Sequence, residues 1–278
     1  MLLSICSGQR LTYMLIIVLL LSLLSAGAQP TSSAPVDRHN FKKGEHLEFK
    51  LSYGWFTVGK ASLDIDNNYH PYQNTDCFKV DVKGSTAGLL GVFTHVDDRW
   101  GAYVRKDNLL PLHAYRDIEE GKYMRVERTY FDHEAGKVEV LRYDPRKEQR
   151  KPKRVYEIQG EVYDLMSSYL YLRNLNFSQY SKGDTIRVKT FYEDELYNFR
   201  LVYDGKETMD SKVGEISAHR LYFLIPPSDI FPNEKGIIAW ISADPNHLPL
   251  RIEAEMFFGK AYCDLTSYRN IKYGPDYQ

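Results

Sequence analysis

Apolar and polar residues alternate with a period of two along most of the chain beyond residue 43. Between residues 47 and 53 every second side chain is apolar, and the same alternation recurs over residues 61–66 and 78–83. The longest example is residues 248–258, where apolar residues occupy the even positions and Arg251, Glu253 and Glu255 lie between them. A period of two places alternate side chains on opposite faces of a strand. The pattern therefore predicts a mainly β protein whose antiparallel sheet has one covered face and one wet face.

One internal segment departs from this alternation. Between Asp164 and Arg173 the apolar residues recur at spacings of three and four, which is the period of a helix. Asp164 can accept hydrogen bonds from the first backbone N–H groups, and Arg173 lies where the helix dipole favours a cation. We predict a helix over residues 163–174, packed on the concave face of a curved sheet.

Four short motifs recur at a nearly constant separation, which indicates an internal duplication. Each motif of the first half has a counterpart 138 or 139 residues later. The pairs are Lys43-Gly44-Glu45 with Lys182-Gly183-Asp184, Asn108-x-Leu110-Pro111-Leu112 with Asn246-x-Leu248-Pro249-Leu250, Gly121-Lys122 with Gly259-Lys260, and Thr129-Tyr130 with Ser267-Tyr268. Chance recurrence is the alternative, because Gly, Pro and Asn are common in turns for generic reasons.

These patterns together predict the domain organisation. Residues 43–278 form a single β domain, a strongly curved antiparallel sheet of the half-barrel or open-barrel type, built from two similar halves. The halves span residues 43–135 and 182–275. A basic hairpin and the helix link them.

The N-terminus has the features of an export signal. Arg10 precedes an apolar run over residues 11–24, which is followed by Ser25-Ala26-Gly27-Ala28. This order is typical of a secretory signal peptide, so we predict cleavage near Ala28 and a protein that is periplasmic or associated with the outer envelope. An uncleaved anchor is the alternative. Residues 29–42 are polar and without periodicity, and we predict a flexible leader there.

Composition and motifs argue against several function classes. The net charge of −1 gives no broad electrostatic basis for binding nucleic acid. The eight histidines are scattered singly, and the chain contains no zinc-protease helix motif, no Cys-x-x-Cys, no Gly-x-Ser-x-Gly and no phosphate-binding glycine loop. We therefore predict no metal, no cofactor and no assigned catalytic residue, and an enzyme is the less favoured interpretation.

Two cysteines remain after the predicted cleavage, Cys77 and Cys263. In an oxidising compartment they can form one disulfide. Two buried thiols that behave as small apolar residues are the alternative, and the sequence leaves both open.

Five residues are candidates for ligand binding. Asp164, Ser167 and Tyr171 share one side of the predicted helix and can form a polar strip that faces a cavity. A helix cap with ordinary packing contacts is the alternative. Trp55 and Trp240 can line an aromatic pocket, or they can simply pack in the core.

Two apolar loops are predicted contact surfaces. Residues 84–93 are rich in glycine and apolar residues, and the duplication places them opposite residues 222–232. Exposed apolar loops usually mark an interaction surface or a ligand entrance. The candidate contact residues are Leu89, Leu90, Phe93, Ile230 and Phe231. The basic turn at residues 146–154 is either a solvated hairpin tip or a contact for anionic lipid headgroups.

Several of these residues resemble a known family. The resemblance runs from Gly44 to Tyr268, and it is to the bacterial envelope family catalogued as domain of unknown function 3108. The matching residues are Gly44, Leu47 to Tyr53, Gly59, Leu110-Pro111, Asp164, Ser167, Tyr171, Arg173, Trp240 to Asp244 and Leu248-Pro249. The family is similar to the lipoprotein-carrier folds, in which a curved antiparallel sheet wraps one or more helices. The resemblance implies a lipophilic cargo.

Three functions fit these observations. The favoured one is a non-enzymatic envelope protein that binds or carries a lipophilic or amphipathic molecule in the cavity of a curved sheet, with peripheral membrane contact. The second is a structural module that binds another envelope protein or a glycan. The third is a hydrolase of envelope glycans that uses a carboxylate such as Asp164 or Asp244.

Overall fold

A computed structural model describes residues 39–87, 95–225 and 232–274. In these ranges the chain forms one large antiparallel sheet and one α-helix, α1 (Leu165–Arg173), followed by a 3-10 turn at Phe177–Gln179. The strands are β1 (His46–Tyr53), β2 (Phe56–Ile65), β3 (His70–Tyr72), β4 (Thr75–Thr86), β5 (Asp97–Arg105), β6 (Pro111–Glu120), β7 (Tyr123–Asp132), β8 (Lys137–Asp144), β9 (Gln149–Arg150), β10 (Arg154–Glu157), β11 (Thr185–Tyr192), β12 (Glu195–Ser211), β13 (Gly214–Leu224), β14 (Ile237–Ser242), β15 (Pro249–Met256) and β16 (Gly259–Arg269). The prediction of a mainly β antiparallel fold is confirmed.

The strand order joins the two ends of the described chain at the middle of the sheet. The order is β10-β8-β7-β6-β5-β4-β2-β1-β16-β15-β14-β13-β12-β11, with β3 on β4 and β9 on β8. Strands β1 and β16 pair antiparallel, with Leu51 opposite Cys263. Nearly all other neighbours in the order are consecutive hairpins, which explains why simple alternation predicts so many of the strands.

The two halves contain strands in the same order and at similar spacing. Strands β1, β2, β4, β5, β6 and β7 correspond to β11 through β16. The first pair of counterparts starts at His46 and Thr185, 139 residues apart, and the last pair starts at Tyr123 and Gly259, 136 residues apart. The described strands thus form two similar halves of one curved sheet.

The sheet does not close by hydrogen bonding between its two end strands, β10 and β11. The residues that precede α1 bridge the gap, because Tyr163 pairs in parallel with Thr190 of β11. A small apolar cluster lies beneath this bridge and combines residues from both edges. Its members are Phe131, Val138, Val140, Ile158, Val162 and Phe191. The architecture is therefore an open barrel.

A network of ion pairs also spans the gap. The turn between β11 and β12 carries Glu193 and Asp194 to the far edge of the sheet. Arg116 of β6 donates to Glu193 at 2.6 Å, and Arg142 of β8 donates to Asp194 at 2.6 Å. Arg116 and Arg142 also pair with the buried Glu127 of β7. Side-chain ion pairs thus connect the two edges of the sheet, which backbone hydrogen bonds do not connect.

Helix α1 lies against the sheet at β11 and β5, and its predicted position is confirmed. At its end the buried guanidinium of Arg173 pairs with the buried carboxylate of Glu45. It also donates to the backbone oxygens of Asn246, at 2.7 Å, and Asn40, at 3.1 Å. These contacts fix the C-terminal end of the helix to two segments, the stretch from Asn40 to Glu45 and the turn at Asn246.

The predicted leader extends too far into the folded chain. Residues 39–42 belong to the folded body, because Phe41 is buried and its ring lies 5.1 Å from that of Phe78. Asn40 Nδ2 donates to Arg173 O at 2.7 Å. The aromatic side chain of Phe41 provides an anchor that the lack of periodicity conceals. Residues 29–38 of the leader and the predicted signal peptide, residues 1–28, lie outside the described residues.

Candidate functional site

An apolar cavity of about 110 Å³ lies between helix α1 and the concave face of the sheet. Strands from both halves contribute to its wall. The described lining residues are Phe49, Ala61, Ser62, Leu63, Val82, Leu165, Met166, Ser168, Tyr169, Leu172, Arg173, Val188, Phe199, Leu201, Phe223, Ala239, Ile241, His247, Pro249, Ile252 and Cys263. Almost all of these groups are hydrocarbon or aromatic, so the cavity offers an environment for an apolar group.

The sequence patterns explain why this space is apolar. The helical positions Leu165, Tyr169 and Leu172 are the stripe whose spacing predicted the helix, and all three line the cavity. Opposite them, the inward positions of the strands alternate with solvent-facing residues. Ala61 and Ala239 are small residues at inward positions, and they leave room between larger neighbours such as Phe199.

The few polar groups at the cavity wall have protein partners. Ser168 Oγ lies 2.8 Å from Thr190 Oγ1, and the Tyr169 hydroxyl accepts from Arg173 at 3.1 Å. His247 Nδ1 lies 2.8 Å from Arg173 O, and burial lowers the pKa of this histidine, which favours the neutral ring. A ligand in the cavity would therefore meet few unpaired polar groups among the described residues.

The predicted polar strip of the helix lies elsewhere. The Asp164 carboxylate accepts from the backbone N–H groups of Met166 and Ser167, each at 3.0 Å, and the Asp164 backbone N–H donates to Ser167 Oγ at 2.9 Å. This reciprocal arrangement is a capping box. Tyr171 is half-buried, with its ring 5.0 Å from that of Tyr163. Neither Ser167 nor Tyr171 belongs to the described lining of the large cavity.

The two candidate tryptophans also lie away from the cavity. Trp240 is on the opposite face of β14 from Ala239, and its Nε1 donates to Glu207 at 2.5 Å. Arg220 lies over its ring at 5.7 Å. Trp55 lies in the turn between β1 and β2, where 84% of its surface is exposed. The sequence identified these aromatic residues but could not assign them to a face.

The cysteines are unpaired. Cys77 and Cys263 are both buried free thiols, so the alternative of two small apolar residues describes them. They lie on β4 and β16, which β2 and β1 separate. Three strand spacings amount to roughly 14 Å, about twice the Cα separation that a disulfide allows. Burial raises the pKa of Cys77 to about 11 and also raises that of Cys263, which disfavours reactive thiolates.

A second, smaller space of about 30 Å³ lies at the N-terminal end of the helix. Asp164, Glu127, Glu193 and Arg116 are among its lining residues. Burial alone would raise the pKa of Glu193, but Arg116 and Arg125 outweigh it and hold the pKa at about 2. The carboxylates that line this smaller space thus all have partners: Glu127 and Glu193 pair with arginines, and Asp164 caps the helix N-terminus. The other candidate acid, Asp244, accepts from Ser242 Oγ at 2.6 Å within its own turn.

Two further buried carboxyls escaped sequence analysis, because acidic residues at strand positions are usually solvated. Asp98 of β5 and Glu120 of β6 are 1% and 6% exposed. Burial raises their pKa values to about 7 and about 8. No described group donates a hydrogen bond to Asp98 Oδ2 or Glu120 Oε2. They are protonated over part of the physiological pH range.

The predicted contact residues Leu89, Leu90, Phe93, Ile230 and Phe231 lie outside the described residues. Within the described ranges, no three His, Cys, Asp or Glu side chains are grouped so that they could hold a metal ion. None of the helices in these ranges has the length and apolar character needed to span a membrane.

In the part of the chain that the structure describes, an open barrel packs around one α-helix, which defines a class of barrel-like β proteins with an apolar interior space. The chain belongs to the family described as "Protein of unknown function (DUF3108)", whose model matches residues 48–266. The resemblance seen in the sequence is thereby confirmed. A comparison with curated proteins gave no significant match.

One solved structure supports the fold assignment. The β-barrel-like protein of the DUF1849 family from Brucella abortus matches 84% of this chain and 100% of its own, with a TM-score of 0.54 and 8% identity. A protein with a YmcC-like fold from Bacteroides fragilis matches 82% of this chain and 97% of its own, with a TM-score of 0.34 and 9% identity. At these identities the first match shows similarity of fold alone, and the second carries no argument.

Proposed function

We propose that this protein is a non-enzymatic component of the cell envelope that binds or carries a lipophilic or amphipathic molecule. The observation that carries the proposal is the apolar cavity between helix α1 and both halves of the sheet. Apolar cavities of this kind stay dry and take up apolar molecules, as an engineered cavity of about 150 Å³ takes up benzene. A cavity of about 110 Å³ suits an aromatic ring or several methylene groups, with the rest of a larger ligand outside.

The envelope location rests on the N-terminal sequence. A charged residue, an apolar run and small residues at the predicted cleavage site are the parts of an export signal. An exported protein meets lipids and lipid-linked molecules, which agrees with an apolar binding space.

A hydrolase is less well supported. The two acids considered as catalysts, Asp164 and Asp244, are engaged in a helix cap and in a turn. Glu127 and Glu193 are engaged by arginines. A general acid or base needs to reach the substrate, and these carboxylates are committed to structural partners.

The proposal predicts that filling the cavity weakens the binding of an apolar probe. The variant Ala239→Phe adds a ring at an inward position of β14 that lines the cavity. Titration with N-phenyl-1-naphthylamine, a neutral fluorophore that emits strongly outside water, should give binding to the wild-type protein and binding at least about tenfold weaker in the variant.

The matched control is Ile238→Phe, which adds bulk to the opposite face of the same strand. It should bind the probe as the wild type does. Thermal unfolding of both variants checks that they remain folded. Equal binding by Ala239→Phe and the wild type would mean that the space is an ordinary packing defect, and the proposal would fail.

A further inference from the structure

Two neighbouring hairpin turns carry four exposed aromatic side chains. Trp55 and Phe56 are at the turn between β1 and β2, and Phe257 and Phe258 form the turn between β15 and β16. Their exposed fractions are 84%, 45%, 64% and 77%. These four residues, called the aromatic tip below, are a majority of the large hydrophobic side chains that are exposed in the described chain. Single exposed apolar residues are ordinary, but a cluster of them usually marks an interaction surface.

The two turns are held beside each other. Strands β1 and β16 are paired, so both turns lie at the same end of the sheet. Gly54 N donates to Lys260 O at 2.8 Å, and the Tyr53 hydroxyl donates to Phe258 O. Within each turn the rings contact one another, with ring centroids 3.7 Å apart for Trp55 and Phe56. The aromatic tip is therefore one preorganised unit.

The other half of the molecule shows that the fold does not require these aromatic residues. The turn that corresponds to Gly54-Trp55 is Glu193-Asp194, between β11 and β12. By strand order, the turn in the place of Phe257-Phe258 is Gly121-Lys122, between β6 and β7, two positions away from the pairing that the sequence repeat gives. Polar residues thus form the same hairpins in the same architecture. Selection for folding does not explain four solvent-exposed rings.

We propose that the aromatic tip inserts into the headgroup region of a lipid bilayer and docks this end of the sheet on a membrane surface. The rings are exposed at the tips of two adjacent hairpins, which suits a soft planar surface. Tryptophan and phenylalanine are the side chains that amphipathic segments place at the boundary between headgroups and acyl chains.

The charges around the aromatic tip agree with an anionic lipid surface. No carboxylate occurs in residues 52–60 or 256–263, whereas Lys60 and Lys260 are both exposed. Lys260 forms an ion pair with Glu253 and lies opposite Glu255 in the β15–β16 ladder, so Lys60 carries the uncompensated positive charge of these two segments. The basic tip of the β8–β9 hairpin lies at the same end of the sheet, where Arg146 Nη2 donates to Gly121 O at 2.8 Å. Cations close to an anionic membrane surface each add to the attraction.

Membrane docking is independent of cavity occupancy. The four rings lie outside the set of residues that line the cavity. The cavity variant Ala239→Phe should therefore bind vesicles as the wild type does, so the two proposals can fail separately.

The test compares vesicle binding of the full chain with that of the double variant Phe257→Ser/Phe258→Ser. The vesicles consist of phosphatidylcholine mixed with phosphatidylglycerol, and co-sedimentation measures the bound fraction. In a Trp100→Phe/Trp240→Phe background, where Trp55 is the one tryptophan left in the sequence, its emission should shift to shorter wavelength and be quenched by brominated acyl chains. The double variant should bind about a hundredfold more weakly, about tenfold for each ring removed from the interface.

The matched control is Leu141→Ser/Val155→Ser, which removes two exposed apolar side chains from β8 and β10, outside the aromatic tip. It should bind as the wild type does, and every variant carries the same N-terminal segment. Equal binding by the tip variant, or Trp55 emission that lipid does not change, would overturn the proposal. Self-association that disappears in the tip variant, without vesicle binding by the wild type, would overturn it in favour of a second copy.

Discussion

At the scale of single residues, buried charge is the feature that most distinguishes this sheet. Arg116 and Arg173 are buried and each has a carboxylate partner. Asp98 and Glu120 are also buried, but one carboxyl oxygen of each accepts no hydrogen bond from any described group. A buried carboxyl without a cation is favoured in its neutral form, so the second pair should make stability depend on pH.

For Asp98 the pKa in the folded protein is about 7, above the ordinary value of an unfolded aspartate. The unfolded chain therefore releases this proton at lower pH, and stability falls as pH rises from about 4 to about 7, by up to about 1.4 kcal/mol per pH unit. Asp98→Asn should raise the free energy of unfolding at pH 8 and have little effect at pH 4, as measured by urea denaturation.

Asparagine can still accept the bond that Glu119 N donates to Asp98 Oδ1 at 3.0 Å, so the fold should tolerate the change. Asp210→Asn, at an exposed position of β12, is the control and should show no such pH-dependent gain. The same gain for Asp98→Asn at both pH values would contradict the assignment of a protonated buried carboxyl.

At the scale of secondary-structure elements, the β11–β12 turn connects the two edges of the open sheet, because its acidic residues pair with arginines of β6, β7 and β8. Glu193 contacts Arg116 at 2.6 Å and Arg125 at 2.5 Å. The equivalent turn in the other half carries Trp55 and makes no such network. The turn of the second half thus forms ion pairs across the gap in the barrel, whereas the equivalent turn of the first half is exposed to solvent.

Glu193→Gln should weaken this connection. The pKa of Glu193 in the folded protein, about 2, lies below the ordinary glutamate value. Its contribution is therefore complete above the unfolded pKa and is lost as pH falls from about 4.5 to about 2. We expect a loss of about 3 kcal/mol at pH 7 and a vanishing difference near pH 2, measured by denaturant unfolding.

Hydrogen exchange should locate the effect. Amides of β11 and of residues 158–163 should exchange faster in Glu193→Gln, because they lie at the opening of the barrel. Glu195→Gln, at an exposed position on the next strand, is the control. Unchanged protection at β11 together with unchanged stability would show that the ion pairs do not hold the edges together.

The elements themselves were largely predictable. Alternation over residues 47–53 and 248–258 predicted strands, because hairpin-connected strands with one wet face show their period directly. The spacing from Asp164 to Arg173 predicted the helix and its cap. The anchoring of Phe41 was missed, since a single buried aromatic residue in a polar segment has no periodicity.

At the scale of the whole molecule, the sequence predicted an open barrel of two halves with a cavity inside the curved sheet, but not the residues that line this cavity. The alternation identifies two faces of each strand without saying how much volume the inward side chains leave unfilled. Ala61 and Ala239 meet Leu165 only after folding brings together residues far apart in the chain. The gap-spanning pairs between Arg116 and Glu193 depend on the same closure.

The candidate residues show the same limit. Asp164 was recognised as a possible cap, and the structure has it in a capping box with Ser167, whose part in the cap the sequence did not indicate. Trp55 and Trp240 were singled out as large aromatic residues, yet one is at a hairpin tip and the other on the outer face. Residue type indicates what a side chain can do, and curvature decides which space it faces.

The central claim is that the cavity beneath helix α1 holds an apolar ligand, and native mass spectrometry of protein isolated from the cell envelope tests it most directly. The wild-type protein should carry additional mass that is released by organic solvent and identified as a lipophilic or amphipathic molecule. Ala239→Phe, purified in the same way, should carry much less of it, and Ile238→Phe should carry the same amount as the wild type. Only ligand-free wild-type protein, with no uptake of added lipids, would contradict the account.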